Sequence, residues 1–245
     1  MIRPALIRWP AFFLLLLMFA GCETRSISNS GYPEPYAGNM LYRGELSEFE
    51  VLGFGRNQAI TDEIIQQAFV AKKPFVLKKN SAVMLIQSGA MFPDDQMMGP
   101  LAGFYDVGGF SGTPDRNASS DGDAPGSPYS MALRLVAARG GYETIIVYWG
   151  ILETARENLE TKAVSWVPFV GGAIADERQR MRIRLKFALI DVKSGQWELF
   201  APEPRMDEAT SGDYTRVASD QAQVELLKES AYKAAVEDIV NRYSG

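Results

Sequence analysis

Arg178-Gln179-Arg180-Met181-Arg182-Ile183-Arg184-Leu185-Lys186-Phe187-Ala188-Leu189 is the stretch that decides the fold. Cations stand at Arg178, Arg180, Arg182, Arg184 and Lys186, and Gln179, Met181, Ile183, Leu185 and Phe187 fill the gaps. A period of two belongs to a strand, whose side chains alternate between faces. Met181, Ile183, Leu185, Phe187 and Leu189 are predicted to face a core, with the cations in a row on the other side. Asp191-Val192-Lys193-Ser194-Gly195 reads as a turn and Gln196–Phe200 as the returning strand. Upstream, Val164–Val170 is a candidate partner strand, with Gly171-Gly172 in the connection.

Working outward, Asp220–Tyr243 has the spacing of a long helix, with Val224, Leu227, Ala231, Ala235, Ile239 and Val240 as its apolar stripe. Ser81–Gln87 is a continuous apolar run of strand length, expected as a buried central strand, and Thr144–Trp149 is a second apolar strand. Ser130 is expected to cap a helix that runs through Arg139 to Gly140-Gly141, and Asp94–Leu101 is a weaker helix. Thr61 caps a helix with Asp62 and Glu63 in its first turn and Ile64, Ile65, Ala68 and Phe69 as its stripe; Pro74 ends it. Ser47–Leu52 is expected as a short strand. Residues 108–128, rich in Gly, Pro, Ser and Asp, are expected as a long surface loop. Strands alternating with helices predict an α/β class: a single mixed sheet with helices packed on it, a long antiparallel hairpin and a C-terminal helix.

The N-terminus is read differently. Arg3 and Arg8 precede the apolar run Ala11–Met18, and Phe19-Ala20-Gly21-Cys22 follows. A basic start, a short apolar run and small residues before a cut describe an export signal. The run is too short to span a bilayer, which takes about 20 apolar residues. Cys22, the single cysteine, stands where lipoprotein processing attaches a diacylglycerol. Residues 1–21 are therefore expected as the signal peptide, and the mature chain as anchored to the membrane through lipidated Cys22. Glu23, rather than Asp, after the cysteine favours the outer membrane, on its periplasmic face. Residues 22–46, with Tyr32-Pro33-Glu34-Pro35-Tyr36 at their centre, are expected as a flexible tether, and 47–245 as one periplasmic domain.

Composition narrows the chemistry. The net charge of −5 becomes −7 once residues 1–21 are removed, which lends no support to nucleic-acid binding. The chain contains no histidine. That removes the Ser-His-Asp triad, the Cys-His pair and zinc sites built on His and Cys. Asp121-Gly122-Asp123 lacks the spacing and terminal glutamate of a calcium loop. Asp94-Asp95 and Asp207-Glu208 sit in loop-like sequence and are not acid/base candidates. No metal, cofactor or catalytic residue is assigned.

Two surfaces are candidates for binding. The row Arg178, Arg180, Arg182, Arg184 and Lys186 suits an anionic polymer, lipid phosphates or an acidic partner. It equally suits a solvated sheet face paired with Glu153, Glu157 or Glu160. The uncharged segment Val164–Ala175 carries Trp166 and Phe169, which either contact a partner or bilayer or pack in the core.

Ser165-Trp166-Val167-Pro168-Phe169-Val170-Gly171, the stretch Asp176–Lys186, Leu85–Ala90 and Ser194–Phe200 together resemble a group of uncharacterised bacterial lipoproteins. More distantly, the element order with Leu189–Gly195 is similar to small periplasmic α/β lipoprotein domains. These are the curli-secretion lipoprotein, the lipoprotein activators of penicillin-binding proteins and the amino-terminal domain of the Tol translocation protein. The resemblance implies a non-enzymatic binding or assembly factor whose partner is another envelope protein or an anionic envelope polymer. The alternative is a carboxylate- or metal-dependent hydrolase, since some such chains carry an aminopeptidase label. The Asn-Thr-Asp-Ala-Glu-Gly-Arg motif of His-free aminopeptidases is missing here.

Overall fold

The computed structural model describes residues 23–30, 39–54, 59–114, 129–158, 177–211 and 216–244. In chain order these form β1 (Glu23–Ser26), a 3-10 turn (Ile27–Asn29), α1 (Glu48–Leu52), α2 (Asp62–Ala71), β2 (Ala82–Gln87), α3 (Asp95–Ala102) and β3 (Asp106–Phe110). Then follow α4 (Tyr129–Arg139), β4 (Thr144–Asn158), β5 (Glu177–Asp191), β6 (Trp197–Phe200), β7 (Arg205–Ser211) and α5 (Arg216–Tyr243). The described strands make one seven-stranded mixed sheet in the order β3-β2-β4-β5-β6, with β1 beside β4 and β7 beside β5. The expected α/β class, hairpin and C-terminal helix are all present.

The antiparallel pair β4–β5 is the spine, fifteen residues in each strand. Neither neighbouring edge is covered by one long strand. β2 pairs with Thr144–Tyr148 of β4, and β1 takes over at Ile151–Thr154. β6 pairs with Phe187–Ile190 of β5, and β7 takes over at Glu177–Ile183. The spine thus has two halves with different packing. In the half next to β2 and β6 both faces are buried. Ile145, Val147, Ala188 and Ile190 pack with Leu133 and Ala137 of α4. Ile146, Tyr148, Phe187 and Leu189 pack with α3 and α5. In the other half only the α5 side is closed, by Met181, Ile183 and Leu185, and the cationic side is open. The strict alternation of 180–186 and the unbroken apolar run 187–190 record this change.

Several expectations are corrected. Ser47–Leu52 is not a strand: Ser47 accepts from Glu50 N at 3.5 Å, Glu48 and Glu50 lie in the first turn, and Gly53 closes α1 at φ 90°. Phe49 and Val51 offer only half a period of evidence. Residues 23–30 and 39–46 are not a free tether. β1 adds to the sheet, and Ile27, Ser28, Ser30 and Leu46 are buried. Their polar composition is absorbed internally, because the Ser28 hydroxyl donates to Ser88 O (2.6 Å) and the Ser30 hydroxyl to Ile27 O (2.9 Å). Residues 108–110, expected as the start of the loop, belong to the parallel edge strand β3. Asp207 and Glu208 lie in β7, not in a loop. Ser130 falls inside α4 rather than capping it. α2 has the expected bounds but buries none of its residues. The candidate strand Val164–Val170 and loop residues 115–128 lie outside the described residues.

Candidate binding surface

The cationic row is real, and it is not bare. Residues directly opposite in antiparallel strands share a face. The register sets Arg182 against Glu153 of β4 and Arg180 against Glu208 of β7. Arg182 Nε reaches Glu153 Oε2 at 2.5 Å and Arg184 Nη1 reaches Glu153 Oε1 at 3.7 Å. Arg180 Nε lies 3.2 Å from Glu208 Oε2, and Lys186 Nζ donates to Glu48 Oε1 at 2.6 Å. The bond to Glu153 holds the Arg182 guanidinium above its ordinary pKa. Glu153 is a partner the sequence leads one to expect, whereas Glu48 and Glu208 are not. Arg178 lies opposite Glu157 in the ladder. Its side chain, with Cys22, Trp166 and Phe169, lies outside the described residues.

Two open grooves border the row. One, of about 660 Å³, runs between Thr24, Glu153, Arg180, Arg182, Met206 and Glu208. The other, of about 950 Å³, lies between Tyr42, Phe49, Trp149, Arg184, Lys186 and Pro202. Exposed ion pairs contribute at most about 1 kcal/mol each. Replacing Arg180, Arg182 and Arg184 with Gln is therefore expected to leave a cooperative fold, with urea midpoints moved only slightly. A collapse of the fold would show that the ladder holds β4, β5 and β7 together.

Apolar surface collects around β6. Phe54 makes edge contacts with Phe49 and with Trp197, both at 6.2 Å between ring centroids, and all three rings are exposed. On the other face of the sheet, beside Glu198, the end of α2 is tied to β6 and its approach by Gln196 Nε2 to Ala71 O (2.6 Å) and by Lys72 to Glu198 (3.3 Å). Along α2, Ile64, Ile65, Phe69 and Val70 remain 44, 43, 74 and 88% exposed.

A polar cluster that sequence reasoning misses lies between α3, α5, the end of β2 and the middle of β4. Asp94 stands at the N-cap of α3 but makes no side-chain cap bond. Its Oδ2 instead accepts from Tyr232 Oη (2.7 Å) and Lys228 Nζ (3.1 Å) of α5. Gln87 Oε1 accepts from Asp94 N (2.8 Å) and Tyr148 Oη (2.5 Å), and Gln87 Nε2 donates to Ser28 Oγ (3.0 Å). The available signal is a lysine and a tyrosine, Lys228 and Tyr232, set one turn apart inside the apolar stripe of α5. These contacts saturate one another, so the cluster reads as a lock between layers. Among the described residues no group of three or more Asp, Glu, Cys or His converges as metal ligands do.

Burial first, then Asp94 nearby, pushes the Tyr148 hydroxyl well above its usual pKa; burial, then Tyr148 and Asp94, does the same for Tyr232. A raised folded value means that the folded state keeps protons which the unfolded chain has released above about pH 10. This stabilisation is complete below about pH 10 and fades as pH rises beyond it. Urea midpoints are expected to fall from about pH 10 upward, and less steeply in Tyr148→Phe. An unchanged slope in that variant would show that other groups drive the alkaline loss.

Over residues 47–242 the chain matches the family model described as YafT bacterial lipoprotein. No curated protein matches it. Among solved structures it is similar to the PelC dodecamer from Paraburkholderia phytofirmans at 12% identity, covering 66% of this chain and 92% of that one, with a TM-score of 0.27. It is similar to the hypothetical protein CT253 from Chlamydia trachomatis at 10% identity, covering 67% and 98%, with a TM-score of 0.30. It is also similar to a neuraminyllactose-binding hemagglutinin homolog from Helicobacter pylori at 13% identity, covering 70% and 88%, with a TM-score of 0.31. At these TM-scores none of the three carries an argument about this chain.

Proposed function

Since the chain belongs to the YafT bacterial lipoprotein family, we propose that it is a lipid-anchored, non-enzymatic binding or assembly factor of the cell envelope. It is acylated at Cys22 and stands on the periplasmic face of the outer membrane. The observation that carries the binding role is α2. A helix of ten residues is marginal in water by itself and is normally held by burying an apolar face. α2 buries nothing, and its stripe of Ile64, Ile65 and Phe69 faces solvent. An apolar surface of this kind is a site where another protein seats. No described feature favours the hydrolase alternative, because Glu48, Glu153 and Glu208 point into ion pairs and Asp94 into the interlayer lock.

The reading is tested with a photo-crosslinking residue at position 69 in the anchored protein in cells. One dominant adduct, identified by mass spectrometry, is expected, and Ile65→Asp is expected to reduce it at least about tenfold, a loss of 1.4 kcal/mol or more. Because both positions are exposed, Ile65→Asp should shift stability by no more than about 0.5 kcal/mol. If no adduct forms while other envelope complexes are captured, the α2 surface is not a docking site.

A further inference from the structure

We infer that the fold is clamped to the bilayer rather than hung from it, with the β1 end of the sheet lying against phospholipid headgroups. The inference rests on acylation at Cys22. β1 begins at Glu23, paired with Thr154. No residue therefore intervenes between the acylated Cys22 and the sheet, and consecutive Cα atoms lie only about 3.8 Å apart. The chain that follows is firmly seated. Glu23–Ser26 continue the ladder, Ile27 is 1% exposed in the main core, and Ser28 bonds Ser88 and Gln87. Slack between lipid and fold would require peeling off β1 and extracting Ile27. With the acyl chains in the hydrocarbon, Thr24 and Thr154 are held at headgroup level.

The surface there fits that occupant. Arg180, Arg182, Glu153 and Glu208 alternate in sign on the open face beside Thr24, lining the smaller groove. Phospholipid headgroups offer phosphate to the guanidiniums, and zwitterionic ones offer ammonium to the carboxylates. The mature chain is acidic overall, so an end carrying both signs is less repelled by a membrane surface than the average face. Clamping also orients the rest. The Lys193 turn lies beyond Thr144, ten residues along β4 from Thr154, and so stands up to about 33 Å farther from the lipid, depending on the tilt of the sheet. β6, to which the end of α2 is tied, pairs in that distal half, so the α2 surface is offered away from the bilayer.

The acylated full-length chain is reconstituted in vesicles of phosphatidylethanolamine and phosphatidylglycerol that contain lipids with nitroxide headgroups. Cys22 is the only native cysteine and is blocked by acylation, so Thr24→Cys, Asp207→Cys and Lys193→Cys each carry one fluorophore. Quenching is expected to be several-fold stronger at positions 24 and 207 than at 193. Insertion of about twenty Gly/Ser residues between Cys22 and Glu23 is expected to abolish the difference. Equal quenching at all three sites in an acylated protein would overturn the clamp and leave the anchor intact. A tryptic N-terminal peptide without acyl mass would overturn the anchor itself, and the clamp with it.

Discussion

Asp94→Ala is expected to destabilise the fold by about 2–4 kcal/mol, somewhat less than the loss typical when one partner of a buried ion pair is removed, because the Asp94 side chain itself is 26% exposed. Lys228 is only 5% exposed and has Asp94 as its carboxylate partner. Without that carboxylate the ammonium stays desolvated and uncompensated. Tyr232, fully buried, loses its acceptor at the same time. Conversion of 1 kcal/mol to roughly 2–4 °C for a domain of this size makes the melting point fall by on the order of 10 °C. Urea unfolding at pH 7 measures the loss directly. Lys228→Met in the Asp94→Ala background is expected to recover much of it, since an apolar pair often replaces a buried ion pair at little cost. A loss below about 1 kcal/mol in the single variant would show that Lys228 escapes to solvent along its stem.

Ile27→Ala is expected to cost about 2–5 kcal/mol and to release the N-terminal arm. Gly150 of β4 makes room for this side chain; a Cβ there would sit 2.6 Å from Ile27 Cδ1. The apposition is close, so truncation leaves a cavity that neighbours on β4 and β5 cannot close. Residues 23–30 are then held by the β1 ladder and by polar contacts, among them those of Ser28, of Ser26 with Glu45 and of Asn29 with Asn39. Urea unfolding reports the stability, and limited proteolysis of residues 23–30, where Arg25 supplies a tryptic site, reports the release. Ile27→Val is expected to cost only about 0.5–1.5 kcal/mol and to keep the arm protected. An arm already cleaved rapidly in the unaltered protein would show that β1 does not hold in solution.

The basic row is legible because alternation over 178–189 leaves one assignment for each side chain, and the register then delivers the expected Glu153. Its other partners are not. Glu48 follows a cap that the strand reading of Ser47–Leu52 obscures, and Glu208 lies in β7. That edge strand lacks an alternating pattern because it has little to bury: Arg205–Glu208 are all exposed. The Asp94 lock is also hidden. N-cap aspartates ordinarily bond their own helix, and only the packing of α3 on α5 diverts this one.

Local chemistry by itself determined the strand period at Arg180–Leu189, the buried runs at Ser81–Gln87 and Thr144–Trp149, the stripe of α5 and the absence of histidine. Each depends on residues close in sequence, whose spacing maps onto one element. Tertiary structure alone decided the rest. It drew a Ser- and Asn-rich arm into the sheet, because a free edge on β4 and a gap over Gly150 were available to it. It also left the well-patterned stripe of α2 uncovered, because no other described element crosses it. Burial is a property of what else is nearby, and spacing along the chain does not contain that.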